Sequence, residues 1–141
     1  MKAPWHLWVI GLVSLFWNAM GALDYTMTQT RNAAYMGQFT PEQLDYFYGY
    51  PSWAVAGWAV GVWLALAGSL LLLLRNASSL WAFILSFAGI VVASVYSFGL
   101  AELRMTDVVG SEALIFTAAI ILFALFLIWY ARRMKIAGVL R

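Results

Sequence analysis

The sequence predicts an all-α, integral membrane protein, an antiparallel four-helix bundle with a short extracytoplasmic loop helix. Three observations carry that expectation. Hydrophobic residues make up 65% of the 141 residues and charged residues 10%, against roughly half and about a quarter in a soluble domain. Four segments reach the ~20 mostly apolar residues that a helix needs to cross a hydrocarbon core of about 30 Å, and none has a charge at its middle. No segment alternates polar and apolar residues as barrel strands do, so only helices can satisfy the backbone in lipid. This composition excludes a soluble domain, a disordered chain and a nucleic-acid binder. Cysteine is absent and His6 is the one histidine. Disulfides, thiolate chemistry, bis-histidine haem and His-cluster metal sites within one chain are thereby excluded. No cofactor is expected, and residues 1–141 form a single transmembrane domain.

The first span covers about residues 5–23. Lys2, the apolar run and small residues around Ala19-Met20-Gly21 also fit a secretory signal peptide. The length and tryptophan content of the run favour a retained helix. The connection over 24–51 is too long to be structureless in so small a protein. In Thr40-Pro41-Glu42-Gln43, Thr40 can cap a helix, Pro41 suits its first position and Gln43 can complete a capping box. A short helix should follow to about Tyr48 and stop at Gly49 and Pro51, as a lid over the bundle. The remaining spans cover about 52–74, 80–100 and 112–130. The short turn between the second and third makes them antiparallel neighbours.

Small residues mark the helix contacts. Gly57 and Gly61 form a GxxxG pair within a ribbon that includes Gly68, and Gly89 lies in a matching set on the third span. Such ribbons let helix backbones approach closely. The simpler expectation is packing inside one monomer, and the alternative is a homodimer.

Charge sets the orientation. Lys2, Arg75, Arg132, Arg133, Lys135 and Arg141 fall on one side, and Arg31 and Arg104 on the other. The first side is therefore expected to be cytoplasmic, with both termini on it. The basic tail reads as a topology signal and a contact for anionic lipid. Tryptophan and tyrosine at the span ends form the aromatic belt of a membrane protein. His6, between two tryptophans, reads as an interfacial anchor.

Polar residues within or beside the spans are the candidate site. They gather in the expected outer half: Asn18, Asp24, Tyr25, Tyr96, Glu102, Arg104 and Glu112. A shallow outward pocket is expected, with Asn18 and Tyr96 at its floor and Asp24, Arg31, Glu102, Arg104 and Glu112 around its rim. No nucleophile–base pair, phosphate loop or zinc spacing is present, so an enzyme is not expected. The expected function is non-enzymatic binding, or an accessory role in a larger membrane complex. A homo-oligomeric transporter of a small solute or lipid is the alternative. Membrane lipids are the expected partners. A small multidrug pump of the antiparallel-dimer type needs an acid inside the first helix and a weak charge bias; this chain has Asn18 and a pronounced bias.

The segments Leu15-Phe16-Trp17-Asn18-Ala19-Met20-Gly21, Pro51-Ser52-Trp53-Ala54 and Gly68-Ser69-Leu70-Leu71-Leu72-Leu73-Leu74-Arg75 resemble a family of small four-helix bacterial membrane proteins. Automatic annotation often labels its members "sugar transporter". The resemblance spans most of the chain and implies a bacterial inner-membrane protein. A sugar site would show an aromatic platform beside hydrogen-bonding side chains, and only Tyr25, Tyr96, Gln29 and Asn32 at the outer mouth approximate one.

Overall fold

The computed structural model describes residues 3–100 and 112–141, and every regular element among them is helical. They are α1 (Trp5–Gln29), α2 (Ala33–Met36), α3 (Pro41–Tyr48), α4 (Ser52–Leu73), α5 (Ser79–Val95), a π-helical turn (Tyr96–Leu100) and α6 (Glu112–Ile136). Four helices are long and apolar enough to cross a membrane, making this a multi-pass membrane protein. α1 packs on α4, α4 most extensively on α5, and α5 on α6. Rings complete the circuit between α1 and α6, with Trp17 against Phe116 and Phe123. The 30–51 connection folds over one end of the bundle, the loop end. The α4–α5 turn and the chain's last residues meet at the other, the tail end.

α1 continues past the first span to Gln29, through the polar but helix-compatible stretch after Asp24. Two boundaries differ from the sequence reading. α6 runs past residue 130 to Ile136. The third span is not one α-helix to residue 100, because α5 gives way to the π-turn at Tyr96. Hydropathy marks where a helix crosses lipid, whereas the helix itself continues until a turn sequence stops it.

α1 and α4 stop in the same way. Arg31 and Arg75 adopt left-handed backbone, at φ 53° and 57°. The amides of Asn32 and Asn76 donate back to the carbonyls of Met27 (3.0 Å) and Leu71 (2.9 Å). Those of Arg31 and Arg75 donate to Thr28 (3.2 Å) and Leu72 (3.0 Å). These are the paired closures of a Schellman end, with arginine where glycine is usual. Both turns read Arg-Asn-Ala, and both asparagine side chains accept from a following amide, Tyr35 and Ser78. α6 ends with the same closure around Gly138, at φ 81°.

The α4–α5 seam brings two helix backbones into close contact. A methyl group at Gly89 would lie 2.5 Å from the Gly57 carbonyl oxygen and 2.7 Å from the Gly61 nitrogen. Ser86 Oγ donates to the Gly61 carbonyl at 2.6 Å. Gly68 receives the ring of Phe83, 2.6 Å from where a methyl would stand. The glycine ribbon thus faces α5 of the same chain.

At the tail end, Leu7, Leu72, Phe83, Leu127, Tyr130, Ala131, Val139 and Leu140 form a buried cluster. Residues after α6 fold back to complete it. The Arg141 amide donates to the Arg75 carbonyl and the Ala77 amide to the Arg141 carbonyl, both at 2.9 Å. Arg75 Nε donates to the Val139 carbonyl at 3.1 Å. The tail is therefore part of the core, in addition to any contact that its exposed Arg132, Arg133 and Lys135 make with lipid. His6 sits in the same region, with Nδ1 against the Tyr130 hydroxyl.

Candidate functional site

The structure separates the expected pocket floor into two places. Asn18 is buried in the bundle, where its Nδ2 donates to the Ala65 carbonyl (3.1 Å) and to Ser69 Oγ (2.8 Å) on α4. It borders a cavity of about 20 Å³ with Trp17, Ala65, Ser86, Ile90 and Phe123. That is room for roughly one water molecule. Tyr96 lies six residues beyond Ile90, and its hydroxyl donates to the Gly49 carbonyl at 3.5 Å at the loop end. Six residues of helix rise about 9 Å, so Asn18 and Tyr96 do not share a floor. The physical reason is register: the α1 face that carries Asn18 meets α4 toward its tail-end half, at Ala65 and Ser69.

The expected rim also divides. Asp24 accepts a hydrogen bond from the Tyr35 hydroxyl. Burial, followed by the bond to Asp24 and its charge, pushes the Tyr35 phenol up to about 12. Tyr25 stands edge-on to Trp58, with ring centres 5.0 Å apart. Glu112 is exposed at the start of α6. Glu102 and Arg104 lie outside the described residues.

What the loop end builds instead is an aromatic cap beside a polar pocket. The capping box of α3 forms in full, with Thr40 Oγ1 accepting from the Gln43 amide and Gln43 Oε1 from the Thr40 amide. It fixes α3 so that Tyr46 and the following Tyr50 reach the π-turn. Tyr46 donates to the Ser97 carbonyl at 3.3 Å, and the Tyr50 hydroxyl pairs with Ser97 Oγ. Burial pushes the Tyr50 phenol well above its ordinary value, against the opposing effect of the Ser97 bond. Ser97 lies eleven residues, about three helical turns, beyond Ser86 and so on the same inward face, and both are buried. Tyr50 also contacts the rings of Tyr96 (4.8 Å) and Trp58 (6.0 Å).

Beside this cap is a cavity of about 110 Å³, lined by Thr28, Gln29, Arg31, Phe47, Tyr48, Tyr50 and Val55. It holds several waters' worth of space but is smaller than the ~300 Å³ at which pockets for drug-sized ligands begin. The Arg31 guanidinium lies over the Tyr48 ring, 4.2 Å from its centre. Such a stack contributes about 0.5–1 kcal/mol at an exposed position. Left-handed backbone at a non-glycine residue costs about 1–2 kcal/mol. The stack alone therefore does not offset the strain at Arg31.

Of these lining residues, Gln29 and Arg31 stand out in the sequence as polar groups of the outer mouth. Tyr48 and Tyr50 read there as belt aromatics and, with Phe47, as the face of the loop helix toward the membrane or the bundle mouth, whereas Thr28 and Val55 carry no signal. A threonine near a helix end is too common to mark a site. What singles out Thr28 is its position on the inward side of α1, which is visible only once the helix is seen to continue to Gln29. No protein-family model, curated protein or solved structure matches this chain.

Proposed function

We propose that this chain is a bacterial inner-membrane protein with both termini in the cytoplasm, and that it is a non-enzymatic binding or accessory protein. Its loop-end pocket opens outward and takes a small polar ligand. The six basic residues on the tail side against two on the loop side support the orientation. The observation that carries the binding role is the 110 Å³ pocket itself, polar on its α1 wall and aromatic on its α3 wall. A conduit is less well supported. The central cavity is about 20 Å³, and the buried tail-end cluster closes that end of the bundle.

Native mass spectrometry of the protein extracted in a mild detergent tests this reading. The wild type should retain a small molecule or lipid that is lost on filling the pocket with Val55→Trp, while Asn18→Leu retains it. A Val55→Trp protein that folds and carries the same bound mass as the wild type would falsify the assignment.

A further inference from the structure

Resting on the binding role of the loop-end pocket, we infer that its ligand is a phosphate group, held by Arg31 with Thr28 and Gln29. The wall that these residues form is rich in donors, and none of the pocket's described lining residues is an acid. Thr28 is 4% exposed, and its hydroxyl bonds to no described residue although it lines the cavity. The Gln29 amide and the Tyr48 hydroxyl likewise make no hydrogen bond to a described residue. The Arg31 guanidinium stacks on Tyr48 and donates to no described residue. Stacking occupies the flat face of a guanidinium and leaves its N–H edges to form the in-plane fork that suits an oxyanion.

Arg75 shows what the same turn does without a ligand. It has the same Arg-Asn-Ala sequence, the same helix closure and nearly the same φ. A cation beyond a helix C-terminus is favoured by the helix dipole in both cases. Arg75, however, uses its Nε on the Val139 carbonyl of this chain. Arg31 has no such partner among the described residues, and a 110 Å³ cavity stands where one would be.

Size and depth narrow the class. The cavity suits a phosphate or phosphodiester rather than a disaccharide. α1 spans about 37 Å against a hydrocarbon core of about 30 Å. Its last turn, with Thr28 and Gln29, therefore stands at headgroup level. A phospholipid headgroup and a soluble phosphate ester present the same chemistry there.

The test compares wild type, Arg31→Gly and Arg31→Lys in dodecyl maltoside micelles. Glycine suits the left-handed backbone, so Arg31→Gly should keep the wild-type thermal midpoint and report on the side chain alone. One arm adds phosphatidylglycerol to the micelles. A second adds glycerol phosphate at ionic strength fixed with chloride. Binding is read by native mass spectrometry and tryptophan fluorescence. Saturation at one phosphatidylglycerol per chain identifies a lipid headgroup, and saturation with glycerol phosphate alone a soluble ester. In either case Arg31→Gly should weaken binding at least tenfold, with Arg31→Lys in between. Equal binding by wild type and Arg31→Gly overturns the inference. A third arm adds glycerol and free sugars. Binding there that Val55→Trp abolishes, with none in the phosphate arms, overturns the ligand class but leaves the pocket's binding role standing. Binding in no arm overturns both.

Discussion

Replacing Gly89 by alanine should destabilise the bundle, whereas the same change at Gly21 should not. Both glycines are helical, so both gain up to about 1 kcal/mol of helix propensity from the added methyl group. They differ in what the methyl meets. At Gly21 the nearest atom is Val62 Cγ1, at 3.7 Å, an ordinary contact. At Gly89 the methyl would stand 2.5 Å from the Gly57 oxygen, 2.7 Å from the Gly61 nitrogen and 3.0 Å from Val60 Cβ. Two of those three atoms are backbone and cannot rotate away, so α4 and α5 must part by nearly 1 Å. A gap of that size forfeits a quarter to a half of the dispersion energy of each contact along the seam. It also stretches the bond from Ser86 to the Gly61 carbonyl. Overpacking of this kind costs about 1–3 kcal/mol, and a hydrogen bond between membrane helices contributes about 0.6 kcal/mol. After the propensity gain, Gly89→Ala should lose roughly 1–2 kcal/mol, and Gly21→Ala should be neutral or up to about 1 kcal/mol more stable. Unfolding of both variants in mixed micelles with increasing sodium dodecyl sulfate, followed by circular dichroism, measures the difference. Equal stability of the two, or a more stable Gly89→Ala, would refute the close seam. A soluble, folded Gly89→Ala monomer from a dimeric wild type would show instead that the ribbon faces a second copy.

Three further outcomes follow from the same structure. Asn18→Leu removes the donor to Ala65 and Ser69 and should cost up to about 1.7 kcal/mol, the upper range for such bonds in membranes. Because the loop-end pocket is not lined by Asn18, ligand retention there should be unchanged; loss of the ligand would return Asn18 to the site. Leu140 is 4% exposed in the tail-end cluster, so Leu140→Ala should cost about 2 kcal/mol, the low end for a buried leucine. A wild-type unfolding curve for that variant would mean that the tail does not dock. The Tyr35 phenol lies above its ordinary value of 10.0, at about 12, so the folded state holds this proton more tightly than the unfolded one. Its contribution to stability is therefore intact below pH 10 and falls away as pH rises through about 12. Phenolate absorbance should show one late-titrating tyrosine fewer in Tyr35→Phe, and an unchanged titration would contradict the pairing with Asp24.

The fold was legible because each of its main determinants is local. Apolar length identifies the four spans, Thr40-Pro41-Glu42-Gln43 identifies α3, and the brief turn after Arg75 makes α4 and α5 neighbours. The site was less legible because it depends on where helices end and how they are registered. Asn18 lies toward the expected outer half by count along α1. Its partner is decided by the offset between α1 and α4, which no single segment encodes. The turn at Arg31 follows a run, Tyr25 to Thr30, that is polar enough to leave the bilayer yet compatible with helix, and nothing in it marks where the helix stops. The π-turn gives no warning in Tyr96-Ser97-Phe98-Gly99, and the bonds from Tyr46 and Tyr50 to Ser97 depend on how the 30–51 connection folds back. The tail was misleading for a different reason. Its charges drew the reading toward lipid, while Val139 and Leu140 sit at the core.

Polarity in a membrane segment marks a site only when the polar group has no partner in its own protein. Within the bundle, both donor hydrogens of Asn18 have acceptors on α4, Ser86 donates to Gly61, and Ser14 Oγ donates to the Gly11 carbonyl at 3.0 Å. These groups hold helices together, and a ligand would have to displace a bond already made. At the loop end, Thr28, Gln29 and Arg31 border open volume with their donors uncommitted among the described residues. Arg31 is exposed and held in left-handed backbone, and Thr28 is 4% exposed with its side chain at the edge of that volume. The two Arg-Asn-Ala turns make the distinction within a single molecule. At the tail end the arginine is satisfied by its own chain, and the turn is structural. At the loop end the equivalent place is a cavity, which is why the ligand is sought there rather than at the centre of the bundle.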